Sequence, residues 1–195
     1  MGISEILSVA IDLAVEGFTT DAGMTVDDVR RDLNMGEWEL ALGMLVDVSD
    51  EHQQPTRFWQ LLADAAGLLQ LDRSVAWCHW RSYESIHGVI RAELVLDSPE
   101  TGGRRSAIPG AGVLRPMWDI GHRTSSGGPD LAIARIWVEY APSPEPGQQG
   151  TVRLAPLRPE RWQHLAPGDM ITMHEIALPI GTAEIISVLP PAGSE

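Results

Sequence analysis

Over residues 3–73 the apolar positions recur at helical spacing. Ile3, Ile6, Leu7, Ala10, Ile11, Ala14 and Phe18 share one side of a helix, since 3.6 residues complete a turn. Ser4 is a candidate cap at its start and Gly17 a candidate stop. Thr25, followed three residues later by Asp28, has the form of a capping box and opens a short helix through Val26, Val29 and Leu33. After Gly36, an apolar stripe runs through Trp38, Ala41, Leu42, Leu45 and Val46. Pro55-Thr56 then opens a fourth helix carrying Phe58, Leu61, Leu62, Ala65 and Leu69. Short connections between these segments predict antiparallel neighbours in a compact bundle.

From about residue 75 the period changes to two. In 86–96, Ile86, Gly88, Ile90, Ala92, Leu94 and Leu96 alternate with His87, Arg91 and Glu93. In 131–140, Ala132, Ala134, Ile136, Val138 and Tyr140 alternate with Arg135 and Glu139. Further strands are expected at Val75–Trp80, Gly112–Ile120, Thr151–Leu154, Met170–Leu178 and Ala183–Leu189, separated by Gly/Pro-rich turns. Many short strands without intervening helices predict an antiparallel barrel or sandwich. The expected class is therefore α+β: a helical bundle over 1–73 and a β-barrel over 74–195.

Charge sharpens this division. Residues 1–74 hold 14 acidic and 4 basic side chains, whereas residues 75–195 hold 13 and 10. All 14 basic residues are arginine. Core-facing helix positions are apolar, so the acids must crowd outward, where they repel phosphate backbones and anionic membranes and suit a basic protein partner. Glu37, Glu39, Asp47, Asp50 and Glu51, on or just after one helix, are the candidate contact residues. No apolar run is long enough to span a bilayer. The N-terminus lacks a basic leader, and the single cysteine, Cys78, fits a reducing compartment. A soluble, cytoplasmic protein is expected.

Candidate chemistry is sparse. The histidines His52, His79, His87, His122, His164 and His174 form no HExxH or other paired short spacing, so neither a metal nor a cofactor is expected. Cys78 has no local base or oxyanion donor, and reads as an inert strand residue. Phosphate-cradling and nucleophile-elbow motifs are missing, so no catalytic residue is assigned. Of the seven tryptophans, Trp80 and Trp162 lie next to charged or polar residues and are the interface candidates. Arg104, Arg105, Arg115 and Arg123 cluster with only Asp119 opposing them, which reads as a solvated barrel rim in so acidic a chain, or alternatively as a patch for RNA phosphates.

Ala92-Glu93-Leu94-Val95-Leu96, Gly102-Gly103-Arg104 and Leu114-Arg115-Pro116-Met117-Trp118 follow one another in an order that resembles the C-terminal β-barrel domain of elongation factor Tu. Leu165 to Met173, with its Pro167-Gly168-Asp169 turn, is similar to a later turn and strand of that family. The resemblance covers roughly residues 86–189. It implies a barrel like that factor's third domain, with Arg104 and Arg115 as the positions that would touch tRNA. No GTPase domain accompanies it, so GTP hydrolysis is not implied. The family's segment between its final two strands is cut down here to Pro179-Ile180-Gly181-Thr182. Separately, Gly36-Glu37-Trp38-Glu39-Leu40-Ala41-Leu42 resembles the GExELAL signature of MafI-type bacterial immunity proteins, which neutralise toxins by binding them. The expected function is a non-catalytic immunity-type protein that binds a basic toxin. The alternative is a translation-associated module that binds tRNA or other RNA.

Overall fold

The structure, a computed structural model, describes residues 2–14, 23–49, 53–139, 145–176 and 178–192. Five helices precede six strands: α1 (Ile3–Leu13), α2 (Val26–Met35), α3 (Trp38–Val48), α4 (Thr56–Leu68) and α5 (Asp72–His87), then β1 (Val89–Leu96), β2 (Met117–Asp119), β3 (Ala132–Val138), β4 (Gln149–Pro156), β5 (Met170–Glu175) and β6 (Leu178–Leu189). The class is α+β, as the change of period predicts. The chain forms two compact units, Met1–Ile86 with Pro191–Glu195, and His87–Pro190.

In the helical unit, α1 packs on α4 and α2 on α3. Leu7, Ala10, Val29, Ala41, Leu45, Phe58, Leu61, Leu62 and Ala65 are fully buried there, and each large aliphatic side chain contributes about 1.5–3 kcal/mol by leaving water. The Thr25–Asp28 capping box forms: the Thr25 N–H donates to the Asp28 carboxylate at 2.9 Å, and the Asp28 N–H donates to the Thr25 hydroxyl at 3.4 Å. The backbone and hydroxyl donors of Thr25 hold the Asp28 carboxyl below its ordinary range. Gly36 ends α2 in the left-handed region, at φ 82°. The α1 cap is displaced from expectation. Its N-cap is Gly2, whose N–H donates to Glu5 at 2.8 Å, while Gly17 and Phe18 lie outside the described residues.

The strand expected at Val75–Trp80 is helix. α5 spans 16 residues, and the division between units falls after Ile86 rather than near Asp72-Arg73-Ser74. Its buried positions are Cys78, Trp80, Arg81, Glu84 and Ser85, so two charged residues sit where a helical stripe would be apolar. The Glu84 carboxylate lies 3.0 Å from Arg81 Nε and accepts a 2.8 Å hydrogen bond from the Trp80 indole. The Arg81 guanidinium also lies over the rings of Trp59 and Trp77, at 4.7 and 5.4 Å from their centroids.

The second unit is a closed barrel of strand order β1-β4-β3-β2-β5-β6, with every pair antiparallel and β6 returning to β1. Ile90, Ala92, Leu94 and Leu96 of β1 point inward, as do Ala132, Ala134, Ile136 and Val138 of β3; this is the period-two pattern of a strand with one buried face. Trp118 and Trp162 meet edge to face inside, with centroids 6.4 Å apart. The strand expected over 112–120 is regular only at 117–119. Pro116 has no N–H to donate, although the preceding chain still follows β3 through the Ile136 N–H to Leu114 carbonyl bond. Pro179-Ile180-Gly181-Thr182 is part of β6, not a connection. A Cβ at Gly181 would stand 2.6 Å from the Val95 carbonyl oxygen, so barrel closure at this point requires glycine. The expected β5 ends early, at Glu175, and the chain reverses through Ile176 in the left-handed region.

On the barrel's outer face Arg91 and Arg153 are directly opposite across β1 and β4. Their repulsion is met by Glu139, which is 8% exposed. It takes two hydrogen bonds from Arg91, at 2.9 and 2.6 Å, and lies 2.6 Å from Arg153 Nε. Such a shared, desolvated carboxylate is costly to remove, because two guanidiniums would then face each other.

Candidate functional site

α3 presents the acidic surface. Its inward side consists of Ala41, Leu42, Met44, Leu45 and Val48, which turns Glu39 and Asp47 outward at i and i+8. Glu37 occupies the N-cap position without making a side-chain capping bond, so its carboxylate is not consumed there. Asp50 and Glu51 lie outside the described residues. Residues 34–40 are exposed without interruption. Among them Met35, Trp38 and Leu40 are 62%, 40% and 54% exposed. Trp38, read from spacing as part of the buried stripe, is thus a surface tryptophan flanked by carboxylates. Its position at N1, before the first full turn sets the buried side, is why periodicity misplaced it.

The two tryptophans expected at an interface are core residues. Trp80 is 2% exposed and bonded to Glu84, and Trp162 is 1% exposed inside the barrel. Neither ring is available as a surface anchor. Neighbouring charges in the sequence were a poor guide here, because side chains adjacent along the chain point in different directions.

The expected arginine patch is also partly spent. Arg104 is ion-paired with Glu175 and donates from Nε to the Ser106 carbonyl at 3.1 Å; burial pulls its pKa down. Arg123 is paired with Asp119 at 2.8 Å. Burial alone would raise the Asp119 pKa, but the Gly121 N–H and the Arg123 guanidinium outweigh it and hold the carboxyl low. Arg115 and Arg105 remain exposed. Of the two residues carried over from the elongation-factor likeness, Arg115 is the exposed one and has no ion pair among the described residues.

His122 and His164 lie 4.7 Å apart, ring centre to ring centre. Their Nε2 atoms are 2.9 and 2.7 Å from the carbonyls of Arg161 and Ile120, which makes each Nε2 the protonated nitrogen. No group of three His, Cys, Asp or Glu side chains suited to a metal ion occurs among the described residues. Cys78 is buried on α5 while its neighbour His79 is exposed, so the two do not converge. Burial pushes the Cys78 thiol up to about 12. The thiolate is the reactive form, so Cys78 should resist a disulfide-exchange reagent at mildly alkaline pH and react only on addition of denaturant. Rapid stoichiometric labelling of the folded protein would contradict this burial. No helix among the described residues is long and apolar enough to cross a membrane.

No protein-family model matches the chain, and no curated protein sequence matches it.

Proposed function

We propose that this chain is a non-catalytic binding protein of the immunity type, in which the acidic side of α3 holds a basic protein, such as a bacterial toxin. The observation that carries the proposal is the run of exposed residues 34–40. Three large apolar side chains, Met35, Trp38 and Leu40, stand there interspersed with Glu37 and Glu39, with Asp47 two turns further along the helix. Aromatic and apolar anchors ringed by charge are the usual composition of an interface, and the carboxylates select a basic partner and speed its approach. Support also comes from the MafI-like signature, which occupies this same stretch. The cytoplasm is the compartment in which such a protein would act.

The test begins with a tagged full-length chain used to isolate a partner from native cells. Association with the purified partner is then timed at low and high salt. Replacing Glu37, Glu39 and Asp47 by Gln, Gln and Asn should slow association at low salt by about tenfold and flatten its salt dependence. Stability should change little, because exposed charges contribute about 0–1 kcal/mol each. An unchanged rate with unchanged salt dependence would remove α3 from the interface. If instead tRNA binds the chain, and Arg115→Ala weakens it, the RNA-binding alternative replaces this proposal.

A further inference from the structure

A second surface, on the barrel, has a different character. Leu131, Ala132 and Ile133 at the start of β3, Leu157 and Arg158 just beyond β4, and Arg161 enclose a hollow of about 370 Å³, at the small end of the range for ligand sites. The strands keep it rigid: the Leu157 N–H donates to the Ile133 carbonyl at 2.9 Å, continuing the β3–β4 ladder past Pro156. Four of its six lining residues are aliphatic. Ile133 and Leu157 are 40% and 49% exposed, which leaves two large apolar side chains in water beside one another.

The two arginines differ in what they can offer. Arg161 Nη2 donates to the Asp130 carboxylate at 2.8 Å and to the Asp130 carbonyl at 3.0 Å, so its charge is already neutralised and its position fixed. Arg158 is exposed and has no carboxylate partner among the described residues. Glu160, the nearest other acid in sequence, lines the neighbouring hollow beside His122 and His164, not this one. The result is an apolar floor with one uncommitted guanidinium on its rim, on a barrel whose other arginines are largely paired.

We propose that this hollow binds a small carboxylate with an aliphatic body. Arg158 takes the two oxygens of the head with its planar fork, and Ile133 and Leu157 cover the body. A phosphate group would meet one free cation and gain nothing from the floor; a neutral hydrocarbon would leave the guanidinium unused. This site is separate from α3 and does not depend on the protein-binding proposal.

The test uses octanoate as the probe, added to isotope-labelled full-length protein while amide chemical shifts are followed. Saturable shifts should appear at residues 131–133 and 157–161. Octan-1-ol, with the same body and no charge, should bind about tenfold more weakly, and acetate, which lacks the body, should not saturate. Arg158→Gln should weaken octanoate about tenfold and bring it level with octan-1-ol, whereas Arg158→Lys should keep part of the preference. Both substitutions are at an exposed position, so the unperturbed remainder of the spectrum reports an intact fold. Equal affinity for octanoate and octan-1-ol, undiminished binding to Arg158→Gln, or shifts scattered away from the hollow would each overturn the proposal.

Discussion

Replacing Glu84 by alanine should destabilise the helical unit by about 3–5 kcal/mol, because it removes one partner of a buried ion pair. Arg81 and Glu84 have side chains only 4% and 2% exposed. Glu84 also accepts from the Trp80 indole, so the substitution removes a buried carboxylate beside Arg81 and an acceptor of the Trp80 indole in one step. The stacked rings of Trp59 and Trp77 soften the loss but carry no full negative charge. The double replacement Arg81→Met with Glu84→Leu should behave oppositely, with stability unchanged or raised, since an apolar pair of similar volume removes the desolvation cost altogether. Urea titration decides this through the midpoint, provided the slope stays the same. A loss below about 1 kcal/mol in Glu84→Ala would mean that water reaches the pair.

The same two residues explain why α5 was hidden from sequence reading. Ala76, Trp77, Cys78 and Trp80 are the aromatic and small residues of a short apolar run, and with Val75 they read as a strand. The true period emerges only if Arg81 and Glu84 are counted as inward-facing, giving buried positions 78, 81 and 85, and 80 and 84. Charged residues are seldom buried without partners, and the partner cannot be seen before the fold is known. Gly88, at φ 87° immediately after His87, was the available stop signal. Elsewhere the local chemistry was decisive. Thr25 and Asp28 declared their capping box, and the alternation in 90–96 and 132–138 placed β1 and β3 on the correct face. The acidic outer side of α3 followed from its apolar inner side. Trp38 and the hollow at Arg158 did not, because the first depends on one residue's place in a first helical turn and the second on strands distant in sequence.

Trp162→Ala should cost the barrel about 3–5 kcal/mol, the range for deleting a fully buried aromatic ring. Trp162 is 1% exposed and meets Trp118, itself wholly buried, edge to face. Leu165 and Ile120 belong to the same core, and the strands around them cannot collapse into the vacated space without breaking their ladders. Trp162→Phe keeps a ring in place and should lose less than about 2 kcal/mol. Chemical denaturation followed by far-ultraviolet circular dichroism gives both values. A surface anchor would behave in the reverse way, with full stability and impaired binding; retention of the native midpoint in Trp162→Ala would restore that role.

Closure of the barrel also governs the order in which the chain can fold as it is made. Within the helical unit the packed pairs α1–α4 and α2–α3 all lie in the first 68 residues, but β1 needs partners from far downstream: Ile90 is matched with Leu154, and Val89 with Leu189. Pairings so distant form late, after the loop-closure entropy between them has been overcome. During synthesis β1 therefore waits with both edges unpaired, then with one edge covered by β4, until β6 emerges. A chain halted between Glu175 and Leu189 would hold an open sheet, β1-β4-β3-β2-β5, with β1 and β5 bared at its ends. Two free edges on one half-made sheet invite strand exchange between nascent chains, so truncation within β6 should yield aggregates, not a smaller folded protein.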